Sequence, residues 1–230
     1  MKRLRCRHTS APLARRLRRV ALATTCLALL SAPASALMIS EVLYNPVAFG
    51  SDDGLEFVEL YNDGPLAVWL DDYSLGWGGA DYATGSLDLD GAGWLLPGSY
   101  AVIGGPSDPL GFDFTPDLED GFFAADGVAL FDVDAASIPG TTPVDALIYG
   151  TIFALNLNGL IDSSGAPGAV DVTIGGAGES AVRDASGTWT TSTTPTPGTG
   201  PLVVPQPGSG LLLGLGLAAL GLRAGRAGRR

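Results

Sequence analysis

The chain has 230 residues, 13 Lys and Arg against 24 Asp and Glu, and a net charge of -11. All 24 carboxylates lie between Glu41 and Asp184, where Arg183 is the one base, so that stretch carries -23. This excludes a nucleic-acid binder, which needs Lys and Arg to displace counterions from phosphates. The length allows one domain of about 100 to 200 residues with appendages.

The first 36 residues carry eight of the basic residues, then the apolar run 20–30 (VALATTCLALL) and the small-residue site Ala34-Ser35-Ala36. This is the order of a secretory signal, expected to form a helix and to be cut by signal peptidase after Ala36. The apolar run is too short for the roughly 20 residues that span a bilayer. Paired arginines at 15–16 and 18–19 leave the export route open. Cys6, Cys26, His8 and Lys2 all lie in this segment, so a chain cut there has no Cys, His or Lys. Disulfide frameworks, Cys or His zinc sites, Ser-His-Asp or Cys-His nucleophiles and Schiff-base lysines are thereby excluded from the mature protein.

Residues 37–200 form the domain. No long stretch repeats its apolar residues at helical spacing, and 33 Gly with 16 Pro favour short elements joined by turns. Strands are predicted over 38–44, 55–61, 66–70, 100–103, 128–131, 146–149 and 169–174, the last with Val170, Val172 and Ile174 alternating with polar residues. Turns at Asn62-Asp63-Gly64-Pro65, Pro97-Gly98, Asp126-Gly127 and Pro139-Gly140 separate them. This spacing predicts an all-β fold, an antiparallel sandwich of two sheets. From Thr188 onward the Thr, Ser, Pro and Gly composition predicts an extended spacer.

Residues 201–230 contain Pro205-Gln206-Pro207, the apolar run 211–222 (LLLGLGLAALGL), expected as a short hydrophobic helix, and four terminal arginines. This order resembles the PEP-CTERM sorting signal of bacterial envelope proteins, with Gln206 where that family usually has Glu. The resemblance implies membrane association through the tag and processing by an exosortase; a plain membrane anchor is the other reading.

Within the domain, 38–46 (MISEVLYNP), 55–62 (LEFVELYN) and 68–75 (VWLDDYSL) resemble the opening of a bacterial lamin tail domain. The stretch 96–102 (LPGSYAV) resembles its Pro-Gly turn into a strand, 126–132 and 144–150 resemble its later strands, and 180–198, with Arg183, Gly187-Thr188-Trp189 and Pro195-Thr196-Pro197-Gly198, resembles its closing segment. The resemblance implies an immunoglobulin-like β-sandwich used for binding or as structural material, with no general catalytic residues. Glu41, Glu59 and Asn62 match its pattern, with structural roles implied.

Three functions follow as expectations. The first is an exported, non-enzymatic structural or interaction module at the cell envelope, with envelope or extracellular matrix components as partners. The second is a calcium-dependent adhesin or a glycan binder. Calcium takes six to eight oxygen ligands; the candidates are Asp52, Asp53 and Glu56, then Asp88 and Asp90, and also Asp117, Glu119 and Asp120. Trp77 and Trp94 lie in Gly-rich surroundings, where exposed indoles stack on sugars and buried ones fill a core. The third is a carboxylate-dependent hydrolase.

Overall fold

The structure, a computed structural model, describes residues 37–47, 52, 54–173, 176–184 and 186–200. The signal with Ala34 and Ala36, the tag with Pro205, Gln206 and Pro207, both terminal helices expected from sequence, Asp53 and Ile174 lie outside the described residues. In chain order the strands are β1 (Leu37–Leu43), β2 (Phe57–Asn62), β3 (Val68–Trp69), β4 (Ser74–Trp77), β5 (Gly85–Asp88), β6 (Trp94–Leu95), β7 (Tyr100–Ile103), β8 (Asp126–Phe131), β9 (Asp145–Gly150), β10 (Val172–Thr173), β11 (Ser180–Arg183) and β12 (Trp189–Ser192). The described helices are two 3-10 turns, Leu70–Asp72 and Ala135–Ser137. Among the described residues no helix is long and apolar enough to cross a membrane.

Two five-stranded sheets, ordered β12-β11-β1-β2-β7 and β10-β9-β8-β4-β5, share one core, and β3 pairs with β6 beside them. The fold is an all-β sandwich. Every pairing between named strands is antiparallel except β9 with β10. Alternation sends Val58 and Leu60 of β2 inward, where they meet Ile39, Val42, Leu75, Val128, Leu130 and Leu147. A bulge between Ile39 and Glu41 lets Ile39 and Val42 both reach that core although two residues separate them. The second sheet is covered on its other face too, by a core of Tyr82, Phe131, Ile138, Ile148 and Leu160. That double cover explains why all of β8 is buried.

Register defines two ends. Leu43 pairs with Phe57, Asp126 pairs with Tyr149, and Tyr44 stacks on Tyr149 with centroids 3.9 Å apart, which puts these residues at one end. Leu37 pairs with Asn62, Leu130 pairs with Asp145, and the Asp145 carboxylate accepts from the Ile39 amide at 2.8 Å, which marks the other. Gly200 lies against the Tyr100 ring, and Tyr100 pairs with Tyr61. Both ends of the described domain therefore emerge at the Leu37 end.

The expected strand at 66–70 shrinks to Val68–Trp69, and of the one expected over 169–174 the described residues form strand at Val172–Thr173. Five strands are additional to the expected set: β4, β5, β6, β11 and β12. Gly76 in β4 and Gly85 in β5 serve close packing. A Cβ on Gly76 would lie 2.4 Å from the Tyr82 carbonyl oxygen, and one on Gly85 would lie 2.3 Å from the Trp77 ring. The expected spacer is corrected most. Trp189–Ser192 forms an edge strand on β11, and 194–200 folds back onto the first sheet instead of leaving it.

Candidate functional site

The buried and ion-paired carboxylates fall into three settings. At the Tyr44 end, Glu56 immediately precedes β2 and is 2% exposed. Its Oε2 accepts from the Leu118 amide at 2.8 Å, while its Oε1 and the Tyr149 hydroxyl are buried without a hydrogen-bond partner. Burial pushes the Glu56 carboxyl up to about 8, and Asp117, Asp52 and Asp120 add like charge. Asp126, at the start of β8, is also raised, first by burial and then by a hydrogen bond with Glu119. Asp120 is raised by burial and by Asp52, against a lowering bond from Asn45. The fold thus joins two groups that are far apart in sequence, Asp52 with Glu56 and Asp117 with Glu119 and Asp120. It adds Asp126 and Tyr149, which no local motif marks. With Glu56 protonated at neutral pH and Asp126 bonded to Glu119, this cluster holds protons.

The other calcium candidates, Asp88 and Asp90, belong to the opposite end: Asp88 pairs with Ser74, which in turn pairs with Phe131. Asp88 Oδ1 accepts from the Ala135 amide at 2.6 Å, while Asp90 is exposed in a turn. The two calcium groups are therefore not brought together. Among the described residues no group of three or more carboxylates is arranged to hold a metal ion. Near the same end Asp71, Asp72, Asp132 and Asp134 border an open depression of about 610 Å³.

The second setting is the outer face of the first sheet. Glu41 accepts from the Ser180 hydroxyl at 2.5 Å and from the Thr196 amide and hydroxyl at 3.1 and 2.9 Å. Glu59 accepts from the Ser40 hydroxyl at 2.7 Å and the Gly198 amide at 2.7 Å. Burial pushes Glu59 up to about 7 against these bonds. Both carboxylates are fully buried beneath 194–200, which they tie down. Asn62 likewise closes a turn, accepting from the Gly64 amide and donating to the carbonyls of Leu66 and Leu95.

In the third setting, Arg183 makes a two-point pair with Asp145 at 2.8 and 2.9 Å while its guanidinium lies 4.5 Å from the Trp189 ring centroid. These groups are occupied in bonds that hold the sandwich together.

The two indoles singled out from sequence part company. Trp77 is 1% exposed, and its Nε1 donates to the Pro116 carbonyl at 2.8 Å. Trp94 is 64% exposed and lies 5.1 Å from Trp69, tilted by 56°. Beside it a groove of about 320 Å³ runs along edge strand β7, walled by Trp94, Tyr100, Val102 and Leu110. Trp69 is the partner that composition around Trp94 did not disclose. No family model, curated protein or solved structure matches the chain.

Proposed function

We propose that this chain is an exported, non-enzymatic structural or interaction module of the bacterial cell envelope. In this reading it is an immunoglobulin-like sandwich of the lamin tail type, delivered by the signal at 1–36 and retained through the tag at 201–230. The observation that carries it is the common exit of Leu37 and Gly200. A domain whose two ends leave from one side can be tethered there while its opposite end stays open to partners. The carboxylates support the non-enzymatic part, because Glu41, Glu59 and Asp145 are engaged with backbone amides, hydroxyls and Arg183. Catalytic carboxylates instead flank a cleft that admits substrate.

Protease treatment of intact cells tests display. The expected outcome is loss of peptides from 37–200 while cytoplasmic marker proteins stay whole. Complete protection of these peptides until the cells are lysed would overturn it.

A further inference from the structure

Six large apolar side chains at the Tyr44 end are turned to solvent: Phe122, Phe123, Ile152, Phe153, Leu155 and Leu157, between 57% and 75% exposed. They occupy two loops, one leading into β8 and one leaving β9. The loops are stitched to each other, with the Thr151 amide donating to the Gly121 carbonyl at 3.0 Å, Leu155 to Phe123 at 3.3 Å and Ala125 to Leu155 at 2.8 Å. The Thr151 hydroxyl donates to the Phe122 carbonyl at 2.6 Å, and the Phe122 and Phe123 rings meet edge to face at 4.5 Å. Neither 121–125 nor 150–158 contains a charged residue, in a domain that carries -23.

Taking about 200 Å² for a whole large apolar side chain, the six expose about 800 Å². Monomers rarely display contiguous apolar patches beyond roughly 300–600 Å², whereas a stable interface takes about 800 Å² from each partner. Because backbone bonds already fix both loops, little ordering entropy opposes association.

We propose that this tip is a self-association surface whose occupant is the same tip of a second copy, in a two-fold, end-to-end dimer. The summed exposed area is of the order such a dimer buries on each side, and an isologous contact needs no complementary patch elsewhere. The neighbouring Glu119 and Asp120 turn away an anionic lipid surface. Gly200, the last described residue before the chain's own apolar run at 211–222, lies at the opposite end of the sandwich. Two copies meeting tip to tip point their chain ends away from each other, so copies held on facing surfaces would join them. The dimer itself does not depend on where the chain is displayed.

Salt gives the contact a signature. Two domains of equal negative charge repel, so screening strengthens an apolar contact between them, while an arginine-rich segment docked on acids would be weakened. The test places photoreactive benzoylphenylalanine at position 123 of the full chain and mixes isotopically light and heavy copies. The expected product is a light–heavy dimer joining position 123 to 121–125 or 150–157, with yield rising several-fold between about 20 and about 300 mM salt. Phe153→Asp is expected to cut that yield about tenfold, as loss of an apolar anchor does, with the circular dichroism spectrum of the folded domain unchanged. Adducts to 201–230 or to lipid, yield falling with salt, or monomer alone under all conditions would overturn the proposal.

Discussion

Replacing Arg183 by methionine is expected to lower the stability of the domain by about 3–5 kcal/mol, the usual cost of removing one partner from a buried ion pair. Arg183 and Asp145 have side chains only 10% and 15% exposed, so water cannot take over from the guanidinium. The Asp145 carboxylate also accepts from the Ile39 amide, tying the edge of β9 to β1 across the sandwich. Losing the pair therefore weakens the contact between sheets as well as one side chain. The double variant Arg183→Met with Asp145→Leu removes both charges and is expected to recover part of the loss. Urea unfolding measures both. A single variant within about 0.5 kcal/mol of the parent, the range of ordinary surface substitutions, would place the pair at a surface that water reaches.

The domain is expected to be more stable at pH 5 than at pH 9. Glu56 is raised to about 8, Glu59 to about 7, and Asp126 is also raised, each chiefly by burial. An unfolded carboxyl titrates near 4. Between these values the folded chain holds protons that the unfolded chain has released, so stability falls as pH rises, by about 1.4 kcal/mol per pH unit for each such proton. The stabilisation is fully present below about pH 4 and is lost as pH climbs through 7 and 8. Mutual repulsion in a -23 domain acts in the same direction.

The expected fall in melting temperature between pH 5 and 9 is about 10 °C or more. Glu56→Gln keeps the shape of the neutral carboxyl, so it should leave the value at pH 5 nearly unchanged and raise it at pH 9. Asp162 and Asp184, lowered by the hydroxyls of Ser164 and Ser186, act oppositely but lie at the surface. A melting temperature that rises steadily from pH 5 to 9 would contradict the buried, protonated assignment.

Much of the central sandwich was legible because its strands bury one or both faces. β1, β2, β7, β8 and β9 combine apolar runs with Gly, Pro and Asn turns, and these signals are local. β4 and β5 were not legible, because Gly76 and Gly85 are required by what lies above them, the Tyr82 carbonyl and the Trp77 ring, and not by a turn. Trp77 and Trp94 have similar neighbours in sequence and opposite fates. Trp77 faces Gly85 across a strand pair, where a missing side chain makes room, whereas Trp94 pairs with Trp69 in a two-stranded sheet at the margin.

The closing segment misled for a related reason. Thr, Pro and Gly bury no core of their own, but Glu41 and Glu59 supply acceptors for the amides of Thr196 and Gly198. The acidic end could not be assembled from sequence because Glu56 meets the Leu118 amide 62 positions away. The exposed apolar tip has no local marker either, since its two loops are joined by hydrogen bonds, from Thr151 to Gly121 and Phe122, between residues well apart in sequence.

In the envelope reading the two terminal segments deliver and retain the domain, and both ends of the processed chain report on them together. Mass spectrometry of the protein recovered from the envelope fraction should find Leu37 as its first residue and a last residue upstream of the arginines at 223–230. A chain that begins at Met1 and fractionates with soluble cytoplasmic proteins would contradict the account.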